Sequence, residues 1–371
     1  MKKNPFILTG YISPKYFCDR ENETRRLISA IENNRHLTLF SLRRMGKTGL
    51  IRHVYHELEK NKEIVPVYAD IMPTANLSEF TSTLVKAVLS TLAKNKGLIK
   101  SMLTGLSTIR PVLTYHPVTG QPEITIKMDN PSDSEHTLET VFAYLSRQRQ
   151  HIVIAIDEFQ QISTYPQKNV ESTLRSLIQP LTNVTLIFSG SRKHILTEIF
   201  SSPGRPFFNS TEIMEINAIN TEDYYSFITG HFHDHGMSIE KEALDLIKEF
   251  TSMHTFYVQF LCNRLFSMGA GKISRGDAAA LYNQVLGENE PVFASYINLI
   301  TPFQFRLLKA IATYRGATGL TSKEFLQSNN LGAASSVNTA LKSLIEKEFI
   351  FREKEKYYLA DRFFEGWILQ N

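Results

Sequence analysis

The stretch HLTLFSLRRMGKTGL, residues 36–50, determines how the rest of the chain is interpreted. An apolar run leads into a loop that ends in Gly46-Lys47-Thr48, and apolar residues at helical spacing follow from Leu50 onward. This order predicts a strand, a phosphate-binding loop and a helix. An ordinary loop between a strand and a helix is the alternative.

If these residues form a phosphate-binding loop, each group in the motif has a chemical task. Backbone N–H groups of the loop and of the helix N-terminus would bind phosphate oxygens, Lys47 would reach the β- and γ-phosphates, and the Thr48 hydroxyl would ligate Mg²⁺. Ser41 stands where the pattern has its first glycine, and serine makes this turn only with a negative φ. The candidate nucleotide-binding residues are Arg44, Met45, Gly46, Lys47, Thr48 and Gly49.

Length and composition describe a globular protein of two or three domains. The chain has 371 residues, 42% of them hydrophobic and 21% charged, with a net charge of +4. Cys18 and Cys262 are too few for a disulfide framework and lack metal-ligand spacing. The apolar segment near the N-terminus is broken at Gly10 and Pro14, and no apolar run has membrane length. We therefore expect a cytoplasmic protein without a membrane partner.

A second motif, HIVIAIDEFQQI, begins at His151. Its Ile- and Val-rich run predicts a buried strand that ends in the adjacent carboxylates Asp157 and Glu158. In this interpretation Asp157 holds the Mg²⁺ shell, and Glu158 orients and deprotonates the attacking water. A surface acidic pair at a strand end is the alternative.

Two further segments supply polar candidates. The strand at residues 64–71 follows the phosphate-loop helix, which predicts a parallel sheet. The strand at residues 184–190 is followed by Ser191, our first candidate for the side chain that senses the γ-phosphate, and by Arg192, our second. A helix N-cap is the alternative for Ser191. Arg205 lies in a Gly/Pro-marked loop, where it would stabilise transition-state charge in its own subunit or a neighbour's, or be a solvated loop residue.

The sequence predicts three segments. Residues 1–219 form a P-loop α/β domain whose parallel sheet is flanked by helices, with a hairpin inserted at about 111–128; residues 220–300 form a helical lid; residues 301–371 form a winged-helix domain. The three histidines at 231, 233 and 235 fit a polar surface better than a metal site, because alternate positions lie on different faces of a helix. His254 begins a lid helix that would point at phosphates, although a structural histidine is the alternative. A further lid helix is predicted from Arg275 to about Leu286.

The predicted recognition helix of the winged-helix domain, residues 334–345, offers Lys342 as its only cation. Groove binding normally uses several Lys or Arg side chains on phosphates. The sequence therefore favours protein–protein packing and gives DNA binding no support.

Taken together, these segments carry a family likeness. FCDRENE, LRRMGKTGL, IAIDEFQ, SGSR, the Pro-Gly-Arg loop, MHTFYVQFLC and the winged tail follow in an order that resembles the prokaryotic AAA-like P-loop ATPases of the archaeal-type family, close to the STAND class of signalling NTPases. The resemblance implies that Phe17 and Arg20 lie on the adenine side, that Arg205 is a finger or sensor, and that His254 contacts phosphate. Read from the residues alone, the Phe17–Arg20 segment is a helix start capped by Asp19.

We therefore expect an Mg·ATP-dependent conformational switch in which ATP binds between the α/β domain and the lid and is hydrolysed slowly to ADP and phosphate. Such a switch would act through a protein partner or self-association. Two alternatives stay open: a winged-helix DNA-binding regulator with an ATPase core, and a nucleotide-binding scaffold without turnover.

Overall fold

The computed structural model describes residues 4–92, 110–115, 122–127 and 131–371. The chain divides into two compact units, one formed by Thr9–Ile219 and one by Asn220–Asn371 together with the N-terminal segment that ends at Leu8. Within the described ranges, no helix combines the length and the apolar character needed to cross a membrane.

The first unit is built on a parallel sheet. Its strands are β1 (Leu37–Phe40), β2 (Ile64–Asp70), β5 (His151–Asp157), β6 (Val184–Gly190) and β7 (Glu212–Glu215). All four neighbouring pairs are parallel, and the strand order is β2-β5-β6-β1-β7. The predicted α/β class is confirmed, and β6 separates the phosphate-loop strand β1 from the acidic strand β5.

Helices cover both faces of this sheet, which explains why its strands are apolar almost throughout. Along β5, Ile152, Ile154 and Ile156 join one buried cluster, while Val153 and Ala155 join the cluster on the other face. The helices are α1 (Glu21–Glu32), α2 (Lys47–Leu58), α3 (Leu77–Leu92), α4 (Pro131–Ser146), α5 (Val170–Ile178) and α6 (Lys193–Ser201), with short 3₁₀ helices at Pro14–Tyr16 and Phe159–Thr164. The cluster with Val153 includes α1 and α2, and the cluster with Ile152 includes α3 to α6.

The predicted inserted hairpin is present between α3 and α4. Strands β3 (Arg110–Tyr115) and β4 (Pro122–Lys127) pair antiparallel, with Tyr115 opposite Pro122. The turn-prone residues 116–120 on which the prediction rested lie outside the described residues.

The second unit is mainly helical. Its elements are α7 (Thr221–Asp234), β8 (Ser238–Ile239), α8 (Lys241–Thr251), α9 (Thr255–Ser267), β9 (Lys272–Ile273), α10 (Arg275–Ile297), α11 (Pro302–Tyr314), α12 (Lys323–Ser328), α13 (Ala334–Glu346), β10 (Ile350–Glu353), β11 (Lys356–Leu359) and α14 (Arg362–Gln370). Strands β10 and β11 form the antiparallel wing, and Ala317 forms a bridge to Tyr357 at its edge. Phe6 of the N-terminal segment is buried against Phe232 and Phe266 of this unit.

One predicted helix end is wrong. The sequence predicted a helix from Arg275 to about Leu286, whereas α10 continues through Pro291 to Ile297. The extension is stabilised by Phe293, which is buried and packs against Phe364 of α14. The predicted lid and winged-helix segments both fall in the second compact unit, and the boundary between them at residue 300 stays a prediction.

Candidate functional site

The loop between β1 and α2 has the backbone that a phosphate site requires. Arg44 and Gly46 take the left-handed conformation, with φ of 63° and 95°, whereas Ser41 does not take a positive φ. Serine at the first glycine position of the pattern is therefore unstrained. Helix α2 begins at Lys47, and its first N–H groups lack intrahelical partners, which makes its N-terminus suited to bind anions.

The Lys47 side chain is buried and folded back onto the start of the loop. Its ammonium group lies 3.2 Å from the Ser41 hydroxyl oxygen and 3.4 Å from the carbonyl oxygens of Ser41 and Leu42. Burial lowers the pKa of Lys47, and the nearby carboxylates of Glu158 and Asp157 act in the opposite direction. The lysine is thus enclosed by oxygen atoms at the point where phosphate oxygens are expected.

Asp157, at the end of β5, is held by four donors. Its Oδ2 accepts from the Thr48 hydroxyl at 2.8 Å and from the Tyr68 hydroxyl at 2.6 Å. Its Oδ1 accepts from the Ser189 hydroxyl and from the Glu158 backbone N–H. The acidic strand and the phosphate loop are therefore joined directly through Thr48.

Glu158 follows at a left-handed position, with φ of 57°. Its Oε2 accepts from the Gln160 side-chain amide and from the Ser191 hydroxyl, the latter at 3.1 Å. A Cβ on Gly190 would lie 1.9 Å from the side-chain Oε1 of Gln160, so glycine at this position gives the Gln160 side chain room to reach the carboxylate. The structure thus places Ser191 beside Glu158, and its part in sensing phosphate stays a prediction.

A third carboxylate lies at the same end of the sheet. Asp70 ends β2 directly beside Asp157 in the strand register. Burial raises the pKa of Asp70, and the charges of Asp157 and Glu158 raise it further, whereas a hydrogen bond from the Met72 N–H acts against them. This edge of the sheet therefore concentrates negative charge that a cation would neutralise.

Phe17 and Arg20 occupy different surroundings. The Phe17 ring stacks on His53 of α2 with 4.4 Å between ring centroids. Arg20 is buried, donates to the Met45 carbonyl oxygen at 3.3 Å and pairs with Glu23 at 2.8 Å. Its guanidinium group therefore anchors the phosphate loop.

The predicted helix start is present at Glu21, but the prediction that Asp19 caps it is wrong. The N-cap of α1 is Arg20, which takes a left-handed conformation and makes no side-chain cap. Asp19 itself has φ of 51°, a backbone outside the extended region in which capping aspartates are found.

Arg205 lies in the loop before β7 and forms ion pairs with two helices. It lies 2.7 Å from Glu171 of α5 and 3.4 Å from Glu198 of α6. The three side chains line a cavity of about 450 Å³ together with Lys168 and Tyr165. A role as a finger or sensor requires Arg205 to leave these carboxylates, and it stays a prediction.

His254 belongs to the second compact unit. It is the N-cap of α9, it is buried, and its ring contacts Tyr257 edge-on with 5.0 Å between centroids. Its predicted contact with phosphate stays a prediction. In the part of the chain that the structure describes, no group of three or more His, Cys, Asp or Glu side chains is placed to hold a metal ion alone.

Thr48 and Asp157 fit the predicted magnesium site. Mg²⁺ prefers hard oxygen ligands and is usually bound through one or two protein groups together with waters and phosphate oxygens. A threonine hydroxyl and a carboxylate 2.8 Å apart, at the mouth of a phosphate loop, are such a donor set.

Tyr68 and Gln160 belong to the site but were not predicted from the sequence, and Ser189 was not named as a site residue. Tyr68 lies two residues before the end of β2, and parallel pairing with β5 brings its hydroxyl to Asp157. A polar residue near the carboxyl end of a buried strand is the one sequence signal that points to Tyr68 and Ser189. The role of Gln160 depends on its side-chain direction and leaves no such signal.

Fold and site together define a P-loop ATPase architecture. The chain belongs to the family of ATPase domains found predominantly in Archaea, whose model matches residues 17–247. A second model, described as "Probable winged helix domain", matches residues 291–370. No curated protein sequence matches the chain.

Several solved structures share the fold. A Walker-type ATPase of Pyrococcus abyssi is 16% identical with a TM-score of 0.65, and the match covers 98% of this chain and 99% of that one. The Aeropyrum pernix ORC2 protein, in ADPNP–ADP complexes, is 13% identical with a TM-score of 0.57, covering 99% and 98%. The Aeropyrum pernix ORC1 protein, in complex with DNA, is 13% identical with a TM-score of 0.50, covering 96% and 94%.

Proposed function

We propose that this protein binds Mg·ATP at the phosphate loop, hydrolyses it slowly to ADP and phosphate, and uses the nucleotide state as a conformational switch. The observation that carries the proposal is the convergence of Lys47, Thr48, Asp157 and Glu158 at the carboxyl ends of β1 and β5. The ADPNP–ADP complexes of the Aeropyrum pernix ORC2 protein, which shares the fold, support a nucleotide as the ligand.

Each side chain has a task in this reaction. The N–H groups at the start of α2 and the Lys47 ammonium bind the phosphate oxygens. Thr48 and Asp157 would hold Mg²⁺, which would supply positive charge against the phosphates of the nucleotide. Glu158 accepts the proton of the attacking water, and Ser191, hydrogen-bonded to the same carboxylate, reports the position of the γ-phosphate.

The hydrogen bonds of Glu158 hold the carboxylate in place. Its Oε2 accepts from Gln160 and Ser191, so the lone pairs of Oε1 are the ones that would accept from the attacking water. Slow hydrolysis is supported instead by Arg205, which pairs with Glu171 and Glu198. Its release from these carboxylates would add to the barrier for turnover without affecting the loop that binds the phosphates.

Arg205 would stabilise transition-state charge after release from Glu171 and Glu198. Burial raises the pKa of Glu171, whereas the Arg205 guanidinium lowers it. The ion pair therefore compensates a carboxylate that is costly to bury, and a competing phosphate must offer Arg205 a better partner. Comparison of oligomeric size with ADP and ATP tests whether a second copy supplies that phosphate.

Phosphate release from the purified protein tests the catalytic part of the proposal. We expect multiple turnover by the wild type and a loss of about a hundredfold or more in Glu158→Gln, with ATP binding retained. Glu215→Gln is the matched control, because Glu215 ends β7 of the same sheet and pairs with Lys193. Equal rates in wild type and Glu158→Gln contradict the assignment of Glu158 as the base.

The switch is tested by the hydrodynamic radius and mass with ADP, with ATP, and with Glu158→Gln plus ATP. A ligand shifts a conformational equilibrium only by its differential affinity for the two states. We expect Glu158→Gln plus ATP to hold the ATP-specific state for the duration of the measurement. Identical sizes and radii in all three samples count against a switch.

A winged-helix DNA-binding regulator is the second candidate. The matched winged-helix model and the fold shared with the DNA-bound Aeropyrum pernix ORC1 protein favour it. Helix α13 exposes Ser335, Asn338, Thr339 and Lys342, a polar face with a single cation. Duplex binding that weakens with salt and is lost in Lys342→Ala supports this function, and no binding at low salt excludes it.

A further inference from the structure

The Tyr68 side chain of β2 contacts the acidic pair through a hydrogen bond to Asp157. It lies opposite Ala155 in the parallel register of β2 and β5, two residues before each strand ends. Its hydroxyl donates to Asp157 Oδ2 at 2.6 Å, the same oxygen that accepts from Thr48. A strand outside the phosphate-loop motif therefore contacts the carboxylate assigned to the cation.

The four donors around Asp157 match what one carboxylate can accept. An ionised carboxylate offers about four lone-pair sites on its two oxygens. Ser189 and the Glu158 N–H fill two on Oδ1, and Thr48 and Tyr68 fill two on Oδ2. The carboxylate is consequently fixed in rotation as well as in position, and it would act on a cation through its charge and through the Thr48 hydroxyl that it orients.

The Tyr68 ring is itself held in place. The Arg52 guanidinium lies 3.8 Å from the ring centroid. Arg52 is one turn after Thr48 on α2, so that helix positions both hydroxyls that donate to Oδ2. The phenol is thereby directed at Asp157 by packing that does not involve its hydroxyl.

We propose that Tyr68 is a positioning residue for the magnesium site, acting through Asp157. A hydroxyl has one proton, so Thr48 can donate it to Asp157 and keep its lone pairs for a cation. Tyr68 supplies the second donor that holds Oδ2 beside Thr48 before the cation arrives. The inference rests on the proposed Mg·ATP binding and adds a residue outside the phosphate loop and the acidic strand.

Tyr68→Phe removes the hydroxyl while keeping the ring over which Arg52 lies. Partners that orient a metal ligand typically account for about 10- to 100-fold in metal affinity. ADP affinity is measured by calorimetry at a series of Mg²⁺ concentrations. The Mg²⁺ midpoint, the concentration that gives half of the gain in ADP affinity, is expected to be about tenfold higher in Tyr68→Phe than in wild type. The ADP affinity in EDTA is expected to equal that of wild type, since the phosphate loop is unchanged.

Tyr55→Phe is the matched control. The Tyr55 hydroxyl is also buried in this unit, and it donates to the carbonyl oxygens of Val67 and Val153 on the same two strands. Its removal lowers the thermal unfolding midpoint without shifting the Mg²⁺ midpoint. Tyr68→Leu is a second variant without the hydroxyl and must raise the Mg²⁺ midpoint as well, so that a folding defect in one variant leaves the other decisive.

The outcomes separate the two proposals. An Mg²⁺ midpoint in Tyr68→Phe or Tyr68→Leu that equals the wild-type value, or lies below it, overturns the positioning role. A wild-type protein that binds no ADP with or without Mg²⁺ overturns the proposed function instead. A shift of equal size in Tyr55→Phe assigns the effect to general loosening of the sheet and also overturns the role of Tyr68.

Discussion

The Lys47 ammonium lies 3.2 Å from the hydroxyl oxygen of Ser41, the residue that stands where the phosphate-loop pattern has its first glycine. A glycine at this position has no side chain to offer. In this protein the substituted residue therefore supplies an acceptor to the lysine that is proposed to bind phosphate, and it does so without backbone strain.

Ser41→Ala is expected to tighten ATP binding. A hydrogen bond to a charged group contributes more than a neutral one, and the alanine variant removes an acceptor that competes with phosphate for Lys47. We expect the binding free energy of ATP to become more favourable by about 1 kcal/mol, which lowers Kd about fivefold. Calorimetry with ATP measures this change, and both proteins carry Glu158→Gln to prevent turnover.

Ser90→Ala is the control for this substitution. Ser90 is an exposed serine of α3 that donates to the Lys86 carbonyl oxygen, and its loss should leave the Kd for ATP unchanged. Weaker ATP binding by Ser41→Ala, in place of tighter binding, would show that the Ser41 hydroxyl contacts the nucleotide itself.

Arg20→Lys is expected to weaken binding of every nucleoside triphosphate to the same extent. Lysine retains the charge that pairs with Glu23, but it lacks the planar fork that also reaches the Met45 carbonyl oxygen. We expect ATP and GTP affinities to fall together by about tenfold, on the order of 1.4 kcal/mol. Arg25→Lys is the control, because Arg25 lies on the same helix and is exposed.

The comparison of ATP with GTP distinguishes two roles for Arg20. The resemblance to archaeal-type ATPases implies an adenine contact, which predicts a larger loss for ATP than for GTP. Anchoring of the loop predicts equal losses, because both nucleotides present the same phosphates. A larger loss of affinity for ATP than for GTP would support a contact of Arg20 with adenine.

The phosphate loop and the acidic strand could be predicted because each is a local motif. Gly46-Lys47-Thr48 follows a strand and begins a helix, and Asp157-Glu158 closes a run of apolar residues, so both patterns are visible along the chain. The partners of these motifs come from elsewhere in the sequence. Tyr68 reaches Asp157 only through the register of two parallel strands. Register follows from packing on both faces of a sheet, which no local pattern encodes.

Arg20 and helix α10 illustrate the same limit at two other places. The contact of Arg20 with the phosphate loop was not predicted, because it depends on the backbone of two successive left-handed residues at positions 19 and 20, whereas the adenine-side role of Arg20 stays a prediction. The helix passes Pro291 because tertiary packing of Phe293 outweighs the local helix-breaking tendency. The contact of Arg20 thus depends on backbone conformation, and the end of α10 depends on tertiary packing; local sequence patterns predict neither.

Gly366→Ala is expected to destabilise the winged-helix segment. A Cβ on Gly366 would lie 1.8 Å from the Tyr282 hydroxyl oxygen and 2.9 Å from Cζ. The Tyr282 ring is stacked on Phe250 with 3.7 Å between centroids and has little room to move. Overpacking of this kind costs about 1–3 kcal/mol, which denaturant unfolding would detect.

Gly287→Ala provides the contrast. Gly287 lies within α10, and a Cβ there meets no atom within 4 Å. Alanine should therefore stabilise the helix by about 0.5–1 kcal/mol. If both variants were stabilised, the close approach of Gly366 to Tyr282 would not be a constraint on the fold.

Acidification below the ordinary histidine pKa is expected to destabilise the first unit through His36. Its Nδ1 accepts a hydrogen bond from the Leu186 N–H at 3.2 Å, so this nitrogen must be unprotonated in the fold. Burial lowers the pKa of His36 from the ordinary value of 6.5, and the nearby Arg175 charge lowers it further. The unfolded chain therefore binds the proton more readily, and stability that is complete above pH 6.5 is lost as the pH falls.

The slope of the unfolding free energy against pH shows whether His36 causes the loss of stability in acid. One proton taken up on unfolding changes the free energy of unfolding by at most about 1.4 kcal/mol per pH unit. His36→Asn keeps an acceptor for the Leu186 N–H and cannot be protonated in this range, so its unfolding free energy should fall less steeply below pH 6.5 than that of wild type. His136→Asn, at an exposed position of α4, should keep the wild-type slope. An unchanged slope in His36→Asn would mean that other groups set the acid sensitivity.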